Sequence, residues 1–190
     1  MSNTENLESQ DATRDKERTR RALIDAAAQL FAEEGAGVSL AVISTRAGVS
    51  KGALTHHFPN RRDLEMAMLE DVAQRFWDEV HAQVDLSENR PGKLMRAYVR
   101  TLTTQNEVVK QIFSPMSLMQ VLGSKQPTSE LLERDAAMWR EAFAADGLDT
   151  QTTLTVRFAA EGLAGSVGSC YVTADELAVA RRRLLELTEG

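Results

Sequence analysis

Residues 39–58 read SLAVISTRAGVSKGALTHHF, and this stretch decides the fold because two short helical patterns meet in it at a glycine. In the first pattern, Leu40, Ile43 and Ala47 recur at helical spacing and share one face of an amphipathic helix. Gly48 then supplies the backbone freedom that a tight turn between two helices requires. The stretch therefore predicts a helix-turn-helix.

The second helix of the pair is predicted to turn an unusual surface outward. Ser39 and Ser50 stand where the two N-caps belong, and Leu54 and Phe58 are the inward positions of the second helix. The outward positions carry small, hydroxyl-bearing or basic side chains, namely Lys51, Gly52, Ala53, Thr55 and His56. Such groups can approach base edges and phosphates closely. The pattern favours a helix that reads double-stranded DNA.

The distribution of charge supports this interpretation. The whole chain of 190 residues has a net charge of −6, and 5% aromatic residues are too few for a base-stacking single-strand binder. Residues 12–62 hold nine basic and five acidic residues, a net charge of +4, whereas residues 63–190 hold 13 basic and 20 acidic residues, a net charge of −7. A basic segment on an acidic body is typical of a protein that meets DNA through one end.

Other features of the composition bear on location and redox chemistry. The single cysteine, Cys170, permits no intrachain disulfide, and we interpret it as a small buried hydrophobe. No apolar run approaches the roughly 18 to 20 residues of a membrane span, and the polar N-terminus MSNTENLESQ lacks the apolar core of a secretory signal. We therefore expect a soluble, cytoplasmic protein with no membrane partner.

The whole sequence predicts an all-α protein in three parts. These are a disordered N-terminal tail, a helix-turn-helix DNA-binding domain, and a helical ligand-binding and dimerisation domain, at residues 1–11, 12–62 and 63–190. Further helices are expected at about 91–113, 114–123, 128–145 and 151–171, and a last one after the capping box at Thr173. The run TTLTV at 152–156 could be a strand, but no partner strand is evident, so we interpret it as helical.

Many residues of the N-terminal part stand at the positions where one known protein family has the same residues. They are Arg21, Ile24, Ala27, Ala28, Leu30, Phe31 and Gly35 in the first helix, Ile43, Ala47, Gly48, Val49 and Ser50 around the turn, and Gly52, Leu54, His57, Phe58 and Leu64 beyond it. With these residues, the segment 18–69 resembles the N-terminal domain of the TetR family of transcriptional regulators. In the remainder, only AAEGL at 159–163 resembles the family. Two departures stand out: tyrosines are common in the family where this chain has Thr55 and His56, and lysine is usual at Arg61.

The resemblance implies both partners and site residues. By resemblance, the DNA-facing residues are Ser39, Ser50, Lys51, Gly52, Thr55, His56 and Arg61, and Ala53 shares the outward helix face with them. His57 and Phe58 are expected to pack inside. The family implies a homodimer on a palindromic DNA operator, most often a repressor that a small-molecule effector releases. An activator or a ligand-independent regulator is the alternative within the class.

Candidate effector residues come from the acidic body. Its Met and aromatic side chains fit either a simple core or an adaptable pocket for a flat, apolar ligand: Phe113, Met116, Met119, Met138, Trp139, Phe143 and Phe158. Glu161, in an apolar helix, is either a surface residue at a dimer edge or a buried counter-charge for a cation. Because clustered Arg, Asn and Gln are lacking, we expect a largely apolar effector, which could be cationic.

A glycine-rich run predicts a close helix contact. Gly162, Gly165 and Gly168 would each cost about 1 kcal/mol relative to Ala inside a helix, so close packing should offset them. We interpret Gly162, Gly165 and Ser169 as part of a dimer interface, in which the helices at 128–145 and 151–171 form a four-helix bundle with a second subunit. Packing within one chain is the alternative.

Other functions have less support. The pair His56 and His57 lacks acidic or Cys partners at i+3 or i+4, so we expect no metal site. No nucleophile and base occur in a recognisable pattern, so we expect neither an enzyme nor a cofactor. The absent tyrosines leave open a partner-binding adaptor with weak DNA binding.

Overall fold

The computed structural model describes residues 2–35, 37–104, 106–113 and 129–189. All regular structure in these residues is helical, which confirms the all-α prediction and the helical interpretation of TTLTV. The helices are α1 (Ser2–Glu34), α2 (Leu40–Arg46), α3 (Lys51–His57), α4 (Arg61–Ala82), α5 (Lys93–Leu102), α6 (Glu107–Phe113), α7 (Ser129–Ala145), α8 (Thr150–Ser166) and α9 (Ala174–Leu187). The helix predicted at 114–123 lies outside the described residues.

The chain divides into two compact units, Met1–Asp71 and Val72–Gly190. The boundary lies within α4 and not at its start, because the first turns of α4 carry buried side chains that belong to the first unit, such as Leu64 and Met68. α1 begins at Ser2 and so includes residues 2–11, for which the sequence predicted disorder. That segment has neither Pro nor Gly, the two residues that most strongly oppose a helix.

The stretch predicted as one helix at 91–113 forms two helices, α5 and α6. The hydroxyls of Thr101, Thr103 and Thr104 donate to carbonyl oxygens three or four residues earlier, which competes with continuation of the helix. The amide oxygen of Asn106 then accepts hydrogen bonds from the backbone N–H groups two and three residues later, at 2.8 and 3.2 Å. A cap at Asn106 therefore starts a new helix.

In the first unit, α1, α2 and α3 pack on one another in pairs. Their shared core consists of fully buried aliphatic side chains, among them Leu23, Leu30, Ile43 and Leu54. The turn between α2 and α3 is made by Gly48, whose φ of +69° is a left-handed conformation that favours glycine. The predicted helix-turn-helix is confirmed.

In the second unit, α5 is the central helix. Eight of its ten residues are buried, and it packs against α7, α8 and α9. Even a charged side chain on this helix is buried: Arg96 is 1% exposed, and its guanidinium bonds to the Glu88 carboxylate at 3.0 Å and to the Thr188 carbonyl at 2.7 Å. These bonds fix the C-terminal end of α9 against α5.

Two further sequence predictions concern membrane-spanning helices and the burial of Cys170. No helix in the described part of the chain has the length and apolar character needed to cross a membrane. Cys170, predicted to be buried, is exposed. The reason is that α8 ends at Ser166 and not near residue 171, because Gly168 has a left-handed φ of +80°. Cys170 therefore lies in a loop.

Candidate nucleic-acid interface and ligand site

The hydroxyls of Ser39 and Ser50 cap α2 and α3, as the sequence predicted. Ser39 Oγ accepts a hydrogen bond from the backbone N–H of Val42 at 3.3 Å, and Ser50 Oγ accepts one from that of Ala53 at 3.1 Å. Both serine residues are exposed. Because each hydroxyl uses a lone pair for the cap, its proton stays available to a phosphate oxygen.

α3 separates into a buried and an exposed face. Leu54 is completely buried and Phe58 is 3% exposed, which confirms them as the inward positions. The predicted outward residues Lys51, Gly52, Thr55 and His56 are exposed, and Ala53 is half-buried. The exposed face of α3 carries no acidic residue, so nothing on it repels a phosphate backbone.

Gly52 and Thr55 define the shape and the hydrogen-bonding character of this face. A Cβ added at Gly52 would meet nothing closer than Ser50 Oγ at 3.8 Å, so the space in front of this position is open. Thr55 Oγ1 donates to the Lys51 and Gly52 carbonyls, at 3.1 and 3.0 Å. Thr55 therefore offers an approaching base a methyl group and hydroxyl lone pairs.

The two adjacent histidines differ in environment. His56 is exposed, whereas His57 is half-buried beside the ring of Phe58, 6.4 Å away between centroids. Burial lowers the pKa of His57, and the positive charges of nearby His56, Lys16 and Arg20 lower it further. A neutral, packed His57 agrees with the sequence prediction. In the described residues, no group of three or more His, Cys, Asp or Glu side chains could hold a metal ion.

Arg61 makes its contacts within the first unit. Its Nε lies 2.8 Å from a carboxylate oxygen of Glu65, and one terminal nitrogen donates to the carbonyl oxygen of Val38. The guanidinium carbon also lies 5.1 Å from the centre of the Phe31 ring. Sequence analysis could not identify the contacts with Val38 and Phe31, because both residues are far from Arg61 along the chain.

Six aromatic rings form a cluster in the second unit. We define the aromatic cluster as Phe76, Trp77, Tyr98, Phe113, Trp139 and Phe143, whose neighbouring rings are 4.8 to 5.6 Å apart between centroids. The sequence pointed to Phe113, Trp139 and Phe143, and the structure brings these three together. It missed Phe76, Trp77 and Tyr98, because helical spacing identifies an inward residue but not which distant residue it meets.

Other predicted ligand residues do not join the cluster. Met138 and Phe158 are 37% and 59% exposed, so they lie on the outside of α7 and α8. The sequence did not indicate this exposure, because apolar character alone does not determine which side of a helix is buried, and a ligand contact by these two residues stays a prediction. Met116 and Met119 lie outside the described residues.

Glu161 has a cation of its own within the chain. Its carboxylate oxygen Oε1 accepts hydrogen bonds from Arg157 Nε at 2.8 Å and from the Tyr98 hydroxyl at 2.9 Å. Burial raises the pKa of Tyr98 well above its usual value, and the charge and hydrogen bond of Glu161 raise it further. Burial opposes the charge of Arg157, but the hydrogen bond and charge of Glu161 outweigh it, so the pKa of Arg157 is raised. The charge of Glu161 is therefore paired with that of Arg157 within the chain, and a contact of Glu161 with a ligand stays a prediction.

The predicted interface residues have separate environments. A Cβ at Gly165 would lie 3.2 Å from the Phe113 carbonyl oxygen, so this glycine permits a close contact between α6 and α8 of one chain. This contact supports the alternative of packing within one chain, and a role of Gly165 between subunits stays a prediction. Gly162 is exposed with open space around it, and Ser169 is exposed beyond the end of α8, where its hydroxyl donates to the Ser166 carbonyl at 2.6 Å.

The exposed face of α8 carries no charge. Its exposed residues are Thr150, Gln151, Leu154, Thr155, Phe158, Ala159 and Gly162. Leu154 and Phe158, one turn apart, are 45% and 59% exposed. A solvent-facing helix usually carries charged side chains, so an apolar stripe of this kind indicates a contact surface.

A helix-turn-helix unit followed by an all-helical unit defines a class of DNA-binding transcription regulators. Residues 23–68 match the family described as bacterial regulatory proteins, tetR family, and residues 92–189 match the tetracyclin repressor-like C-terminal domain. The chain belongs to the TetR family of transcriptional regulators. Members of this family bind DNA operators and small-molecule ligands and form dimers.

Solved structures share this fold over almost the whole chain. A transcriptional regulator from Rhodococcus sp. Rha1 is 22% identical with a TM-score of 0.68, over 91% of this chain and 95% of that one. A TetR-family member from Streptomyces coelicolor A3 is 25% identical with a TM-score of 0.64, over 90% and 98% of the two chains. The multidrug binding protein EbrR, in complex with imidazole, is 24% identical with a TM-score of 0.62, over 89% of each chain. None of the curated proteins matches the chain.

Proposed function

We propose that this protein is a ligand-responsive repressor that binds a palindromic double-stranded operator as a homodimer. The observation that carries this proposal is the division of α3, which buries Leu54 and Phe58 and exposes Lys51, Gly52, Thr55 and His56. A short helix with no acidic residue on its exposed face, in a segment with a net charge of +4, suits the major groove of DNA.

Each exposed residue of α3 has a proposed role in this complex. Lys51, exposed at the start of the helix and without an ion-pair partner in the described residues, contacts a phosphate. Gly52 lets the helix approach the DNA backbone without a side chain in the way, while Ala53 and Thr55 face base edges. His56 supplies a further polar contact from the same exposed face.

Lys51→Ala is expected to weaken binding to every duplex sequence and to lower the magnitude of the salt slope by about 1, because one phosphate contact is lost. Fluorescence anisotropy with a labelled duplex at several salt concentrations measures both quantities. Lys93→Ala, a change outside the helix-turn-helix unit, is the matched control and should leave the slope as it is. An unchanged slope in Lys51→Ala would remove this residue from the contacts.

The proposed dimer surface is the uncharged face of α8 together with the exposed Met138 of α7. Arg157 links the two helices, since its guanidinium lies 5.6 Å from the Phe143 ring of α7 and 5.7 Å from the Phe158 ring of α8. A second copy of the chain would cover Leu154 and Phe158 with its own apolar surface. This is favourable because it removes the two side chains from water. Gly162, one turn beyond Phe158, lies on the same stripe and remains part of the proposed interface.

The proposed effector site adjoins the aromatic cluster. Phe113, like Trp77, is half-buried whereas the other four rings of the cluster are buried, so it marks an edge at which an apolar ligand can enter. α4 contributes Phe76 and Trp77 to the cluster, and its first turns belong to the DNA-binding unit. A ligand that binds one arrangement of the cluster better would therefore shift the population of α4 positions.

The effector is proposed to be largely apolar and not cationic. A cation would have to displace Arg157 from Glu161, and the pair already has good hydrogen-bond geometry. A panel of neutral apolar molecules, tested for release of the protein from its operator, separates a ligand-responsive repressor from a ligand-independent regulator. Transcription from an operator-linked promoter separates repressor from activator.

A further inference from the structure

We propose that Arg61 acts in DNA binding as a positioning residue, which holds the start of α2 in place, and not as a phosphate contact. Its guanidinium joins three parts of the first unit: the carboxylate of Glu65 in α4, the carbonyl of Val38 before α2, and the ring face of Phe31 in α1. This inference rests on the proposed DNA-binding function.

The contact with Val38 is the one that reaches the DNA-binding surface. Val38 immediately precedes Ser39, whose hydroxyl caps α2, and the Val38 side chain is itself 7% exposed. The loop before α2 contains Gly35 and Gly37, so its backbone is intrinsically free. A hydrogen bond from Arg61 to this carbonyl fixes the loop where α2 begins, and α2 in turn packs on α3.

The charge of Arg61 is compensated within the protein. Glu65, one turn along α4, lies 2.8 Å from Nε, and the two side chains are only 33% and 13% exposed. The Nε and one terminal nitrogen of Arg61 are already engaged by Glu65 and Val38, so turning the guanidinium outward to a phosphate would cost the protein hydrogen bonds to a charged group. The exposed Lys51 would break no such bonds when it meets a phosphate, so Lys51 is the proposed phosphate contact.

Arginine is suited to this task by its shape. A planar guanidinium can stack on an aromatic face while it donates in two directions at its edge, and an ammonium group cannot do all three. Arg61→Lys therefore keeps the charge but loses the arrangement. This difference makes the lysine variant informative even if Arg61→Ala fails to fold.

The test compares Arg61→Ala, Arg61→Lys and Lys51→Ala in the full-length protein, with circular dichroism to confirm that each variant is folded. Affinity is measured by anisotropy for two duplexes, the operator selected from a random pool and a mixed-sequence duplex. For both Arg61 variants we expect about tenfold weaker binding to the operator, an unchanged affinity for the mixed duplex, and an unchanged salt slope. Lys51→Ala should weaken both duplexes alike and reduce the slope by about 1.

Two results would overturn the inference. A fall of about 1 in the salt slope for Arg61→Ala, with Arg61→Lys close to wild type, would show a phosphate contact. Wild-type operator affinity in a folded Arg61→Ala would show that the contacts serve stability alone. If the wild-type protein binds neither duplex, it is the proposed DNA-binding function that fails, which distinguishes the two cases.

Discussion

Replacing Phe158 with glutamate is expected to convert the dimer to a monomer and to weaken operator binding by at least about 100-fold. Phe158 is 59% exposed at the middle of the uncharged face of α8. In a symmetric dimer the new carboxylates would be buried in an apolar contact without a partner, which is strongly unfavourable. A monomer also engages only one half of a palindromic operator, so it loses the gain from binding two linked sites.

Light scattering measures the mass of the wild type and of Phe158→Glu, and anisotropy measures operator affinity. Leu86→Glu is the matched control, because Leu86 is 84% exposed but lies in the loop between α4 and α5. The control should stay dimeric and bind the operator as the wild type does. A stable dimer of Phe158→Glu would show that the exposed face of α8 is not the interface.

Trp139→Ala is expected to lower the free energy of unfolding by about 3 to 5 kcal/mol, the usual cost of removing a large buried aromatic side chain. Trp139 is 5% exposed and has four ring neighbours in the aromatic cluster, Phe76, Trp77, Tyr98 and Phe143. Removing it leaves a cavity that these rings cannot fill without changing their packing.

Urea denaturation followed by circular dichroism measures this loss. Trp77→Ala is a matched control, because Trp77 belongs to the same cluster but is only half-buried, so the expected loss is smaller. A similar or smaller loss for Trp139→Ala than for Trp77→Ala would mean that the cluster is loosely packed around Trp139. In that case Trp139 would line a cavity and not a core.

The DNA-binding unit was predictable because its information is local. Helical spacing placed Leu54 and Phe58 inside, Ser39 and Ser50 were recognisable as caps, and Gly48 marked the turn. Each of these signals spans only a few residues, and short segments with strong caps fold much as their own sequence dictates. The contact of Arg61 with the Val38 carbonyl was not predictable, since it joins α4 to a residue 23 positions earlier.

The second unit was less predictable because its side chains meet over long separations. Glu161 could be weighed only as a surface residue or a ligand partner, since its bond to Tyr98 spans 63 residues. Phe158 and Phe143 are both aromatic residues within helices, yet one is exposed and the other is buried. A helix with apolar residues on two sides does not show which side faces the core and which faces a second subunit.

The central claim is that α3 reads operator DNA as part of a symmetric dimer. Its most direct test is selection of bound duplexes from a random pool with the wild type and with Thr55→Ala. We expect the wild type to enrich an inverted repeat whose half-sites are about 34 to 36 Å apart, or a multiple of that spacing, and Thr55→Ala to change the preferred base at equivalent positions of both half-sites. Enrichment of no sequence, as expected of a partner-binding adaptor, or of the same sequence by both proteins, would contradict the claim.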